Sequence, residues 1–348
     1  MLRPLMNAAS GEPAAALPAN PVLATVSRGE VIESRHRGAL AVVENGRLVA
    51  AFGDVATPVF CRSSTKPFQA LPALERKLPE RLGFSARERA MMIASHAGSQ
   101  RHVEVVQAML ASGGFQEHDL QCGPHVPYDK ASAYELIKAG HRPSRLHNNC
   151  SGKHAGFLHL TRELGERPAE YLEPETRAQR LVRAGIAEMA EVPDTTLLPA
   201  IDGCGAPTYQ LPLQALAHAF ARLANPEPLG PVRASACRSM LDAITQEPFF
   251  LAGQGQLTTA LVEALPGRIF PKNGAEGVYA FGVPGRGLGC AVKIDDGHER
   301  GYFPVVLEVL LRLGVLPRLP EALAEYHRVP LYNTQKKLTG HVASALVW

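Results

Sequence analysis

Strand signals crowd the two ends of this chain and are sparse between them. Residues 39–52 read ALAVVENGRLVAAF, two apolar runs around Asn45-Gly46, the dipeptide that most favours a tight hairpin. TPVFCR (57–62) reads as another short strand. Near the other end, RIFPK (268–272), GVYAFGVP (277–284) and GCAVKIDDG (289–297) are β-branched or aromatic with glycine punctuation. PGRG at 284–287 reads as the turn between the last two. Between these groups, apolar residues recur at helical spacing over 86–94, 101–112, 130–139, 153–164, 175–190, 209–224 and 231–245. Two further helical patterns follow the last strands, at 303–313 and 320–327. Alternating βα units would predict a parallel sheet. Strands, then helices, then strands predict a mixed α+β fold instead. Its antiparallel sheet is formed from the N- and C-terminal segments, with a large helical region inserted.

At ~150 residues per domain, a chain of this length has room for about two domains. The pattern predicts otherwise: a disordered N-terminal extension over 1–23 and a single unit over 24–348. The sheet part of that unit is expected at about 24–66 and 255–348, the helical part at about 67–254. Residues 1–20 lack a compact apolar signal region. The most apolar stretch, 304–316, is shorter than the ~20 residues a membrane span needs. It also carries Glu308 and Arg312 at i, i+4, the spacing of a surface ion pair on a helix. Neither a membrane nor a nucleic-acid partner is expected, since the net charge is only +3 and no block of five like charges occurs. The six cysteines are widely scattered, which predicts a reduced, cytoplasmic setting rather than a disulfide scaffold. No phosphate-binding glycine motif is present.

Three segments carry catalytic chemistry in order. Ser63-x-x-Lys66 runs into an apolar helical stretch, with Pro67 placing it at the helix start. A serine hydroxyl is a weak nucleophile until a base takes its proton, and a lysine with a depressed pKa can be that base. Ser95 follows the apolar Met91-Met92-Ile93 in a loop. Lys272-Asn273-Gly274 follows RIFPK. This is the order of active-site elements in serine β-lactamases and penicillin-binding proteins. The bland alternatives are an exposed helix cap for Ser-x-x-Lys, a cap or loop serine at 95, and a surface strand end at 272.

Asn148-Asn149-Cys150-Ser151-Gly152-Lys153-His154 and Asp202-Gly203-Cys204-Gly205 are polar and glycine-flanked. Each offers a loop or helix-start thiol that can hold a soft metal such as zinc. Buried packing explains Cys150 and Cys204 equally well. Cys61, Cys122, Cys237 and Cys290 read as core or surface thiols. His102 and His159 read as structural.

RSSTKP (62–67), ASHAGS (94–99), HNNCSGKHAGFL (147–158), IDGCGAP (201–207) and KNGAEGVYAF (272–281) together resemble the class 3, rhizobial-type L-asparaginases, the asparaginase II family. VSRGEVIESRHRGALAVV (26–43) resembles the family's start. The resemblance implies a serine β-lactamase- and glutaminase-like fold and hydrolysis of L-asparagine to L-aspartate and ammonia. It implies Ser63 as nucleophile, Lys66 as its activating lysine, and Ser95 with Lys272 as a second Ser-Lys pair. It implies a zinc site at Cys150, Lys153 and Cys204 that positions substrate rather than activating water. Arg62, His154 and Asp202 fall where substrate-contacting residues are expected. A homodimer is the expected assembly. Some members carry a further cysteine near the segment written here Gln256-Leu257-Thr258-Thr259, and this chain has none. Other readings are a related serine amidohydrolase (glutaminase, β-lactamase or D-peptidase), a zinc-dependent hydrolase, or a non-catalytic binding protein.

Overall fold

Asn45 and Gly46 take the positive φ angles, 52° and 75°, that a tight hairpin turn demands. In the computed structural model, which describes residues 19–348, they join strands Val31–Glu44 and Arg47–Phe52. The long Val31–Glu44 strand is the hub of an eight-stranded sheet whose pairings are all antiparallel. On one side it pairs with Val22–Arg28, which pairs with Leu338–Ser344, which pairs with Arg328–Tyr332. On the other it pairs with Leu288–Ile294, then Val278–Val283, then Phe270–Gly274. The sheet is thus drawn from both ends of the chain. Its outermost part was not expected from the sequence: Val22–Arg28 meets Leu338–Ser344, with Ala24 opposite Ser344. Residues 1–18 of the expected extension lie outside the described residues. Val22 and Leu23, assigned to that extension, instead open the first strand, and Leu23 is fully buried.

Both faces of the central strands are covered, and the two-residue period divides their side chains by size. Ala39, Ala41, Ala280 and Ala291 face one core, and Leu40, Val42, Phe281 and Val292 the other. The small residues admit the Leu213–Ala224 helix at close range. A Cβ on Gly289 would stand 2.0 Å from the Ala217 carbonyl oxygen, and one on Gly282 2.2 Å from that of Phe220. The large residues pack against the Tyr302–Arg312 helix, whose outer face carries the expected Arg312–Glu308 pair at 2.8 Å. No helix among the described residues is long and apolar enough to cross a membrane.

The helical region surrounds Lys66–Glu75, which packs against Ala86–Ile93, Ser151–Glu163, Arg177–Ala190 and Pro231–Gln246. Pro72 inside that central helix cannot donate to the Phe68 carbonyl. Gly185 of the neighbouring helix lies against the freed oxygen, 3.3 Å from where its own Cβ would stand.

Candidate active site

Ser63 lies in a single 3-10 turn, Arg62–Thr65, that feeds directly into the Lys66–Glu75 helix. Two neighbouring hydroxyls are used within the turn. Ser64 Oγ donates to the Cys61 carbonyl at 2.7 Å and Thr65 Oγ1 to the Arg62 carbonyl at 2.9 Å. Ser63 instead lines a cavity of about 310 Å³. Arg62, just before it, is held at a φ of +52° and bonds Asp202 Oδ1 through Nε at 2.6 Å. A left-handed non-glycine residue costs roughly 1–2 kcal/mol, and this ion pair pins the conformation in place.

The strand Phe270–Gly274 runs against this turn. A Cβ on Gly274 would lie 2.8 Å from the Cys61 carbonyl oxygen and 3.3 Å from the Ser64 nitrogen. The glycine of Lys272-Asn273-Gly274 is therefore what lets the sheet edge touch the serine turn.

Ser95 leaves the end of the Ala86–Ile93 helix in a braced loop. Its backbone N–H donates to Leu251 O at 3.0 Å, and that of His96 to Asn149 O at 3.2 Å. His96 is fully buried, which holds its pKa well below 6.5, so the ring is neutral. Its Nδ1 accepts from the Gly98 N–H and its Nε2 bonds Ser151 Oγ at 2.9 Å. The helix cap downstream is Ser99, not Ser95.

Two buried lysines meet at Ser95. Lys272 Nζ is 2.7 Å from Ser95 Oγ and Lys66 Nζ is 3.1 Å from it. Burial pushes the Lys272 pKa well below 10.5, and the Lys66 charge adds to the shift. Three oxygens surround Lys272 Nζ. Asn273 O and Oδ1 accept from Nζ at 2.9 and 3.0 Å, and once the ammonium proton is lost the lone pair faces the Ser95 hydroxyl. Around Lys66 Nζ stand three acceptors: Ala94 O, Ser95 Oγ and Asn149 O at 2.5, 3.1 and 3.4 Å. Lys66 therefore bonds Ser95 rather than Ser63, although helical spacing places it beside Ser63.

Cys150, Lys153 and Cys204 also come together, all buried. Lys153 Nζ is 3.3 Å from Cys204 Sγ. A hydrogen bond from the Cys150 thiol, with the Lys153 charge, pulls the Cys204 pKa down to about 5. That same bond, together with burial, pushes Cys150 up to about 12. Burial alone would lower the Lys153 pKa, but Cys204, Cys150 and Asp202 outweigh it and raise it. Among the described residues no three His, Cys, Asp or Glu side chains converge as a metal site. This cluster offers two sulfurs and an amine.

Arg62 and Asp202 neutralise each other, and neither lines the cavity. His154 is not on the cavity wall either. It points into the core and bonds the Tyr171 hydroxyl at 2.7 Å through Nδ1. Asn149 and Asn273 line the wall from within motifs already singled out. Tyr128, Gln256 and Glu299 line it without a distinguishing pattern in the sequence.

Two serines, two buried lysines and a cavity fit nucleophilic attack on a carbonyl. Comparison with known proteins bears on which carbonyl chemistry this is. No curated protein matches the chain. Among solved structures, Mglu overlaps with a TM-score of 0.39 at 15% identity, over 80% of this chain and 67% of that one. The chain thus spans about two thirds of Mglu's length. A putative beta-lactamase from Bacteroides dorei overlaps with a TM-score of 0.43 at 14% identity, over 79% of this chain and 92% of that one. A beta-lactamase from Mycobacterium bovis gives 0.34 at 14% identity, over 80% and 95%. Overlaps this loose carry no argument. The decisive match is to the family model of L-asparaginase II, over residues 24–344, which takes in every one of these side chains. The protein that holds two lysines against Ser95 is an amidohydrolase of the L-asparaginase II family.

Proposed function

We propose that the protein hydrolyses the side-chain amide of L-asparagine through an acyl-enzyme on Ser63. The observation that carries this reading is the Ser95 hydroxyl held between Lys272 and Lys66 in a cavity that Ser63 also lines. The neutral amine in this arrangement is Lys272, so it acts as the base, reached through Ser95. As Ser63 Oγ attacks the amide carbon, its proton passes to Ser95 Oγ, and the Ser95 proton passes to Lys272 Nζ. Backbone N–H groups of the Arg62–Thr65 turn, Ser63's own among them, hold the oxyanion. Collapse breaks the C–N bond, and the proton returns through Ser95 to the departing ammonia. Water then attacks the ester and regenerates Ser63 by the same relay. Lys66 keeps Ser95 in place and lowers the proton affinity of Lys272.

Cys150, Lys153 and Cys204 would hold zinc once Cys150 and Lys153 give up their protons, and two thiolates and an amine then suit a tetrahedral ion with one open position. When bound, the ion supplies positive charge one residue behind the cavity-lining Asn149. The base, the relay and the nucleophile all stand apart from that cluster.

The test is ammonia release from L-asparagine and L-glutamine, with a chromogenic β-lactam assayed alongside. Asparagine is expected to be the best substrate, and Ser63→Ala to leave a folded protein without turnover. A Ser63→Ala variant with near-wild-type rates would overturn the mechanism. Turnover of the β-lactam in place of asparagine would overturn the substrate.

A further inference from the structure

Glu299 is the one charged side chain among the residues that line the cavity. It enters from the one-turn segment Glu299–Gly301, well after the last catalytic motif in the sequence. Its carboxylate makes no hydrogen bond or ion pair among the described residues. Acidic neighbours on the same loop are occupied. Asp295 accepts from Asn20 Nδ2 at 2.9 Å, and Asp296 bonds His36 Nδ1 at 2.6 Å.

The loop itself is fixed. Asp296 Oδ1 caps the His298 N–H at 2.9 Å, and His298 Nδ1 accepts from the Arg300 N–H at 3.3 Å. Gly301 is pressed on the His36 ring, where a Cβ would lie 3.1 Å away. Glu299 is thus held on the cavity wall by a fixed loop, with its solvated carboxylate free to take a ligand.

The electrostatics say which ligand group. The deep end of the site holds Lys66 and Lys272, both spent on Ser95 and on carbonyl or amide oxygens. Glu299 is exposed and so stands at the mouth. Ser63 and Glu299 line the same cavity, so a ligand with its reacting carbonyl beside Ser63 has one negative group on the wall to meet a cation it carries. The acidic candidate from the sequence, Asp202, is paired with Arg62 Nε at 2.6 Å and does not line the cavity.

We propose that Glu299 is a specificity-determining residue that binds the α-ammonium of the amino-acid substrate. This rests on the asparaginase reading above, whose failure is separable from its own. The probe is succinamate, which is asparagine without its α-amino group. In the wild type, kcat/KM is expected to favour L-asparagine over succinamate, and Glu299→Gln to shrink that ratio about 10- to 100-fold, through KM. An unchanged ratio overturns the proposal, as does an equal loss on both substrates.

A binding arm does not depend on turnover. In a Ser63→Ala background, calorimetry compares L-aspartate with succinate. The expected outcome is a preference for aspartate that Glu299→Gln removes. No preference, or one that survives the substitution, overturns the proposal. If the wild type released no ammonia from asparagine, the asparaginase reading would fall, and the calorimetry would still decide Glu299.

Discussion

Two lysine clusters lie on either side of Asn149, and they solve the burial of an amine in opposite ways. At Ser95, Lys272 faces another lysine and neutral oxygens, and burial pushes its pKa well below 10.5. At Cys204, Lys153 is as deeply buried but faces a thiolate and Asp202, and it keeps its proton. Burial disfavours the ammonium in both places. The sign of the outcome is set by the nearest charge. One arrangement favours a neutral amine, and the other a neutralised ion pair.

Several substitutions would break or sharpen this contrast. Ser63→Ala removes the attacking atom and is expected to lower kcat by about 10⁴-fold or more, with the fold intact by circular dichroism. Ser95→Ala leaves both lysines without their shared hydroxyl and interrupts the relay. Its expected loss is ~10²–10⁴-fold in kcat/KM. A loss as small as that of a surface mutant would show that Lys272 acts on Ser63 without Ser95.

Lys272→Met separates catalysis from stability. It is expected to abolish turnover and yet stabilise the fold by on the order of 1 kcal/mol in thermal unfolding. The sign follows from linkage. The folded pKa of Lys272 lies below its unfolded value near 10.5, so between those two values the unfolded chain binds more protons. Stability then rises with pH across that window, and Lys272→Met flattens the rise. Wild-type kcat/KM is likewise expected to fall as the pH drops through the depressed value. A flat acid limb would deny Lys272 the role of base.

The smallest effect belongs to the second cluster. Treatment with a chelator is expected to raise KM several-fold, on the order of 1 kcal/mol of substrate binding, with kcat nearly unchanged. Complete loss of kcat would move the chemistry from the serines to the metal.

The two clusters also differ in how well the sequence announces them. Ser63, Lys66, Ser95 and Lys272 sit in short motifs with a recognisable order, and all but Ser63 are joined by hydrogen bonds in the structure. The hairpin at Asn45-Gly46 and most central helices are equally legible, because turn chemistry and the 3.6-residue period are local. The outer strands are not. Val22–Arg28 pairs with Leu338–Ser344 across almost the whole chain, and no local pattern reports such a pairing. The first half of Val31–Glu44 reads VIESRHRG, polar enough to resemble a loop.

Charge pairing fails for the same reason. Nothing local shows that Arg62 Nε will bond Asp202 Oδ1. His154 follows Lys153 on one helix, yet the turn of that helix carries its ring to Tyr171. Glu299 is one acidic residue among several in IDDGHERG. Only the cavity singles it out.

Gly274 fits against the Cys61–Ser64 turn with no room for a side chain, and this has a bearing on how the enzyme is made. Ser63 leaves the ribosome long before Lys272 does. On the proposed mechanism the nascent chain carries an inert alcohol through most of synthesis, since Lys272 has not yet been translated. Activity switches on only when the late strand docks beside the early turn. On that mechanism, the first turnover reports that the two ends of the polypeptide have found each other.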